Sequence, residues 1–462
     1  MKAPKFKEFI AEAKTNKKPY RLIVISDEPE ESEYFHTAKR LIDEGGKLGH
    51  KVYVVMIDGA YITVEEGIRR VHNSDDKKGF VVDSSDTLAI VRGSITRKDS
   101  WLDFLSQLEK GGIAVVNSRS CVNTCADKYR TYLRLLDYGI TQPRTVLIPN
   151  KDLVKQAVEN LDSDYPMIMK TLRGSKGVGV LFIESERSLD SIVQLTYKTD
   201  EDSDLLLQEY IKTDHDVRVL VLGGKVMAAM RRDVIEGDFR SNFSMGGVVK
   251  KYNLTELEVE QCILAAKAVN GVWVAVDFIP SKNREKQPPF IIEVNSSPGT
   301  EGIEKATEGN LVKQIIQHFE DPKNRWAVPT ECGYREVVNI KPFGELIAKM
   351  DTGNSGEPVI HAEKIKASGN KVAWTLNGKT ITSDIVRTQK IRVGGQRDYT
   401  EDRYVVSLDV EFLGHIYEDT EFTLDDREER TPILFDREFM NRLNLMINPN
   451  RKYVVTTKYS LE

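Results

Sequence analysis

Residues 273–299 read WVAVDFIPSKNREKQPPFIIEVNSSPG, two apolar runs joined by a polar stretch that ends in paired prolines, and they decide how the rest of the chain is read. Each run has strand length. Asp277 interrupts the first run, while Glu293 and Asn295 sit two apart in the second, so their side chains leave that strand on one face. Burying three hard oxygen donors in apolar strands is costly unless a cation joins them. Magnesium meets that demand, because it takes one or two carboxylates and completes its shell with water and nucleotide phosphate. Asp277, Glu293 and Asn295 are therefore the expected metal ligands.

Upstream, residues 167–185, MIMKTLRGSKGVGVLFIES, read as a strand ending in Lys170, a loop with Gly174, Ser175, Gly177 and Gly179, and a second strand. Glycines let backbone N–H groups fold over an anion, and Lys170 and Lys176 add point charges for phosphate oxygens. The loop joins two strands and lacks the G-x-x-x-x-G-K-[ST] pattern, which excludes a P-loop. Next, LLLQEYI at 205–211 sets Gln208, Glu209 and Tyr210 at the end of an apolar strand, where an adenine edge and ribose would meet them. Asp216 follows, opening a strand pair that ends in Arg231 and Arg232, which read either as surface arginines at a strand end or as partners for an additional carboxylate.

Working outward, residues 20–57 read strand, helix, strand, and TLAIVRG, DSWLDFLSQLEKGG and IAVVNS repeat the pattern, with Asp99 and Ser100 as the expected helix cap. From Cys121 the chain is expected to continue as helix through CADKYRTYLRLLDYG. The fold class is thus α/β for residues 1–120 and α+β for 121–322. A proline-bearing stretch, 323–334, reads as a linker, and the β-rich runs of 335–462 as an all-β domain. The chain of 462 residues is 40% hydrophobic and 30% charged with a formal charge of −5, which fits soluble globular domains and calls for no nucleic-acid partner. No stretch is apolar for long enough to span a membrane, and the first residues lack the apolar core of a signal peptide, so the expected location is the cytoplasm. Four cysteines are too few for a disulfide scaffold and lack zinc spacing, leaving packing as their role.

ADKYRTYLRLLDYGI, IMKTLRGSKGVGV, LLLQEYI, VRVLVLGGKVMAAMRR, EGDFRSNFSMGG and EVNSSPGTEGIEKAT together resemble the RimK family of ATP-grasp ligases, which includes the enzyme that adds glutamate to the C-terminus of ribosomal protein S6. The resemblance runs over 117–318, and 20–116 is similar in layout to that family's leading domain. It implies that Lys128 and Lys170 contact ATP phosphates beneath the 174–179 loop, and that Gln208 to Ile211 frame the adenine with Asp216 on the ribose side. Arg240 and Asn242 would meet the γ-phosphate and the reacting carboxylate. Asp277, Glu293 and Asn295 would hold two magnesium ions, Glu293 shared and manganese able to substitute. The implied substrates are ATP, an amino acid (glutamate) and a protein or peptide C-terminus, joined through an acyl phosphate. The alternative is a small-molecule or dipeptide ligase whose β domain only docks substrate.

Residues 333–457 resemble a second family, the retropepsin-like peptidases often labelled zinc proteases, through IAKMDTGNSGEPVIHAEKI and ILFDREFMNRLNLMINPNRKYVV. The resemblance makes Asp351, Thr352 and Gly353 the turn that presents a catalytic aspartate in a β-barrel. Asn354 stands where alanine is usual, and Asp436 where a glycine precedes Arg437. Zinc is not expected, since His361 and His415 lack further ligands at the right spacing. Aspartic-protease chemistry needs two carboxylates, so a second copy in a homodimer is expected to supply the partner, with Asp436 the alternative.

Overall fold

The computed structural model describes residues 19–65, 68–73, 78–82, 86–173, 179–234, 249–325, 327–392, 400–413, 415–427 and 431–456. The chain divides into two compact units, Met1–Ala327 and Val328–Glu462.

The first unit opens with a parallel sheet in the order Lys51–Met56, Arg21–Ser26, Thr87–Arg92, Ala114–Val116. Between their end residues its central strands are apolar, as strands covered on both faces must be, and helices His36–Lys47 and Asp99–Lys110 make the crossovers. Strand order reverses between Arg21–Ser26 and Thr87–Arg92, which makes their C-terminal ends a topological switch point. Two helix starts differ from the sequence reading. Asp99 lies inside the first turn, and the capping position is Lys98, whose side chain makes no cap bond. The continuous helix expected from Cys121 is two, Arg119–Cys125 and Lys128–Asp137, because the Asp127 carboxylate accepts the backbone N–H groups of Tyr129 and Arg130 and starts a new helix. That cap sets Lys128 at the helix start, where its N–H donates to the Leu172 carbonyl at 3.0 Å.

Two antiparallel sheets follow. One runs Val180–Ile183, Met167–Thr171, Leu205–Glu209, Thr145–Ile148, and the other Val249–Lys251, Lys225–Asp233, His215–Leu222, Trp273–Ile279, Phe290–Asn295. Helices Val154–Leu161 and Glu186–Thr199 cover one face of the first, burying Met167, Met169, Leu205 and Leu207. Helix Glu256–Ala268 does the same for the second through Cys262, Ala265, Val217 and Val276. Alternation then sends Lys170, Gln208, Asp277 and Glu293 to the opposite faces. All four cysteines are free thiols, and no described helix is long and apolar enough to cross a membrane.

The second unit is a closed barrel. Strands Arg335–Ile340, Gly344–Met350, Ile433–Phe435, Val359–His361, His415–Asp425 and Thr400–Phe412 pair in that order, and Ile340 pairs with Val410 to close the ring. Trp374, Phe422 and Phe435 fill it. Part of the stretch read as a linker belongs here, since Thr330–Gly333 pairs in parallel with Leu445–Asn448. Glu336, fully buried, accepts backbone N–H groups from Gly333 at 2.6 Å, Val454 at 2.8 Å and Thr456 at 3.1 Å. One carboxylate therefore fastens the end of the described chain to the first barrel strand. Glu336→Ala strands several buried donors and is expected to cost about 3 kcal/mol. Hydrogen exchange in residues 335–350 of the full chain should accelerate accordingly; wild-type exchange there would contradict this role.

Candidate functional site

Asp277 and Glu293 are cross-strand partners, and Asn295 lies opposite Ala275 on the same two strands. A bulge after Asp277 shifts the register. The three residues expected to hold a metal are thus brought together, and the Asn295 amide nitrogen is buried without a partner among the described residues.

The cation beside Asp277 is not only a matter of metal, and here the sequence reading needs correcting. Arg218 faces Asp277 in register and grips it with both arms of its guanidinium, at 2.8 and 2.6 Å. Arg232 adds a contact at 3.1 Å and holds Asp216 with two bonds of 2.7 Å. Burial alone would raise the Asp277 carboxyl, but Arg218 and Arg232 overcome it and hold it well below the usual carboxylate range. Arg232 is 3% exposed, not a surface residue as its strand-end position suggested. Arg231 pairs instead with Asp233 and Asp214. Asp216, expected beside a ribose, has both oxygens on Arg232. A signal for this network existed: Asp216 and Arg218 are two apart, so both face the same neighbours.

Lys170 projects from the other sheet and donates to Gln208 Oε1 at 2.7 Å, while Gln208 donates to Thr145 Oγ1 at 2.8 Å. Burial pushes the Lys170 ammonium down to about 8, Glu293 opposing and Lys128 adding to the fall. Burial lowers Lys128 too, against the pull of Glu293 and Asp127. Lys128, Lys170, Gln208 and Glu293 line one cleft together with Cys125 and Ile291. At the strand end, the Glu209 carboxylate is held by the Arg144 backbone N–H at 2.7 Å and side chain at 3.0 Å, Tyr210 sits edge-on to Phe182, and Ile211 is half-exposed. Gly179 returns the loop to its strand with φ of 77°, where a side chain would strike Thr171. Gly174, Ser175, Gly177, Arg240 and Asn242 lie outside the described residues.

In the second unit, Asp351 sits in a turn where the Gly353 N–H donates to its Oδ1 at 2.9 Å, and Lys349 Nζ lies 3.3 Å from Oδ2. Asn354 closes that turn, its N–H donating to the Asp351 carbonyl at 3.0 Å. Asp436 is 2% exposed and caps helix Arg437–Arg442, accepting the Glu438 N–H at 2.8 Å and the Phe439 N–H at 3.2 Å. Both its oxygens are committed to that cap.

A family model described as a RimK-like ATP-grasp domain matches residues 125–319, and one described as retropepsin-like aspartic endopeptidase RimB matches 332–458. A "Probable alpha-L-glutamate ligase" of Marinobacter nauticus is 30% identical over 299 residues, 64% of this chain and 95% of that protein. Its counterpart in a Marinomonas species is 32% identical over 287 residues, 62% of this chain and 91% of that protein. Among solved structures, a RimK-domain ATP-grasp protein from Sphaerobacter thermophilus aligns with a TM-score of 0.48 at 17% identity, covering 64% of this chain and 98% of that one.

Arg232→Met leaves Asp216 and Asp277 buried with one guanidinium fewer, and is expected to lower stability at pH 7 by about 3 kcal/mol in urea unfolding. Because Asp277 is held below its ordinary value, its contribution is present at neutral pH and is lost as acid protonates it below the usual carboxylate range. The gap between wild type and variant should therefore narrow in acid; an equal gap at every pH would contradict the network.

Proposed function

Because the chain belongs to the RimK family of ATP-grasp ligases, we propose that it uses ATP to join an amino acid, glutamate, to the C-terminal carboxylate of a protein or peptide. The observation that carries this reading is the convergence of Glu293 from one sheet with Lys170 from the other and Lys128 on a single cleft, with Asp277 paired to Glu293 across the strands. Anionic and cationic groups placed together suit a nucleotide that arrives with its counter-ions.

The donor set fits magnesium. Two carboxylates and an amide offer only oxygen, and Asp277 and Glu293 are already neighbours across the strands. Asp277 would share its carboxylate between the ion and Arg218. When bound, such ions, two in this reading with Glu293 shared, neutralise charge on the β- and γ-phosphates during transfer. Lys170 and Lys128 hold phosphate oxygens, and an anionic partner offsets the fall that burial imposes on the Lys170 ammonium.

A carboxylate is a poor electrophile, so its oxygen first takes the γ-phosphoryl group and ADP leaves. The amine then attacks the acyl carbon and phosphate departs. We assign Arg240 and Asn242 to the anionic intermediate and the Gly174, Ser175, Gly177 loop to its shelter from water, with Gln208 to Ile211 at the base. Asp216 serves this site through Arg232 rather than by direct contact. Glu293→Ala should cut amino-acid-dependent ADP release by about a thousandfold. Coupled-assay rates near wild type would refute the assignment.

We further infer that the barrel unit is a peptidase that works as a two-fold pair. Its support is negative and specific: Asp436 is occupied as a helix cap, so the second carboxylate beside Asp351 comes from another copy. Asp351→Asn is expected to abolish cleavage of an oligoglutamate tail, and sedimentation of the full chain to show a dimer. Cleavage by a monomer, or cleavage that survives the substitution, would end this reading.

A further inference from the structure

In the first unit the half-buried Arg218 and the buried Arg232 each grip a carboxylate, and the buried Arg92 does not. Arg92 ends strand Thr87–Arg92 opposite Ser26, at the switch point of the parallel sheet. It is 7% exposed. Its Nη2 donates to the Pro298 carbonyl at 2.9 Å, its Cζ lies 4.9 Å from the Trp273 ring centre, and its Nε and Nη1 find no acceptor among the described residues. Burial without an anion pushes the guanidinium down to about 10. A buried charge lacking a counter-charge is expensive, and a chain that keeps one invites an anion from outside.

The surroundings narrow the choice. Asp27, next in the chain after Ser26, has a fully buried side chain that accepts the Ser94 N–H at 3.0 Å and lies 3.5 Å from Arg97. Gly93 must be glycine, since at φ of 85° a side chain would run into the Asp27 carboxyl. The Gly93 N–H donates to Ser297 Oγ at 2.9 Å. Ser297 and Pro298 continue directly from Glu293 and Asn295, so these strand ends adjoin the stretch that carries two of the assigned metal ligands. An Asp27 carboxylate just past the end of one strand and an Arg92 guanidinium at the end of its neighbour match a substrate that carries both an amine and a carboxylate.

We propose that the ends of strands Arg21–Ser26 and Thr87–Arg92 form the subsite for a substrate carboxylate, with Arg92 as its anchor. The assignment deepens the ligase reading and rests on it. Two sources share the chemistry: the α-carboxylate of the incoming amino acid, and the carboxylate end of the accepting chain.

The test is steady-state ADP release by the full chain with L-glutamate and a decapeptide ending in glutamate, comparing wild type, Arg92→Gln and Arg92→Lys. The expected result is a rise of about tenfold or more in KM for one carboxylate substrate in Arg92→Gln, with KM for MgATP held and partial recovery in Arg92→Lys. A rise for L-glutamate assigns the subsite to the amino acid, and a rise for the decapeptide assigns it to the acceptor. Unchanged KM for both, or a rise in KM for MgATP alongside a lower kcat, overturns the proposal and leaves Arg92 a brace for the Ser297 loop. If Arg92→Gln fails to fold, Arg92→Lys carries the comparison. If wild type releases no ADP with either substrate, the ligase reading fails separately. Equilibrium dialysis of labelled L-glutamate and decapeptide, wild type against variants, then decides: weaker binding to the variants upholds the subsite, and equal or absent binding overturns it.

Discussion

A carboxylate buried in a β-sheet must find positive charge, and in this protein that requirement is met across three adjacent strands. Register pairs Asp216 with Arg232 and Arg218 with Asp277, so alternate residues of opposite sign face one another on the cleft side of the sheet. Arginine suits the task better than lysine, because its planar fork satisfies both oxygens of a carboxylate and stays charged when buried. The network keeps Asp277 ionised. It also means that any cation arriving there competes with Arg218, which ties nucleotide binding to a rearrangement of charge that the sheet already holds.

The same economy of polar groups governs how the parallel sheet meets the rest of the first unit. Asn117, fully buried, donates to the carbonyls of Trp273 and Ser296 at 2.6 Å each and accepts the N–H groups of Val272 and Trp273 at 2.8 and 3.1 Å. One side chain thus fixes the start of the Asp277 strand and the end of the Glu293 strand together. Arg92 holds the next residues of that segment. Lys170 shows the opposite strategy: its ammonium is desolvated and, among the described residues, hydrogen-bonded to Gln208, so it is primed to gain from an anion.

Much of this was legible in the sequence, because period-2 alternation and strand length carry information that survives folding. The interrupted runs at 273–299 read as two strands, which the structure pairs with Asp277 opposite Glu293, and the repeated strand, helix, strand reading matches the parallel sheet. What stayed hidden is cross-strand pairing. Arg232 reads as a strand-end surface residue until the register sets it against Asp216 and Asp277. Asp436 reads as a spare carboxylate until the helix after it claims both oxygens. The split at Asp127 was missed because apolar spacing runs on through the break, and only the cap geometry reveals it. Arg92 gave no signal at all, since one charged residue at a strand end is ordinarily solvated.

The central claim is that a carboxylate is activated by phosphoryl transfer in the cleft between Lys170 and Glu293. Positional isotope transfer tests it most directly. An acceptor peptide labelled with oxygen-18 in its terminal carboxylate is incubated with the full chain, MgATP and L-glutamate, and the released phosphate is analysed by mass spectrometry. An acyl phosphate formed on that carboxylate carries one labelled oxygen into phosphate for each amide bond made. Product formed with unlabelled phosphate would contradict the account.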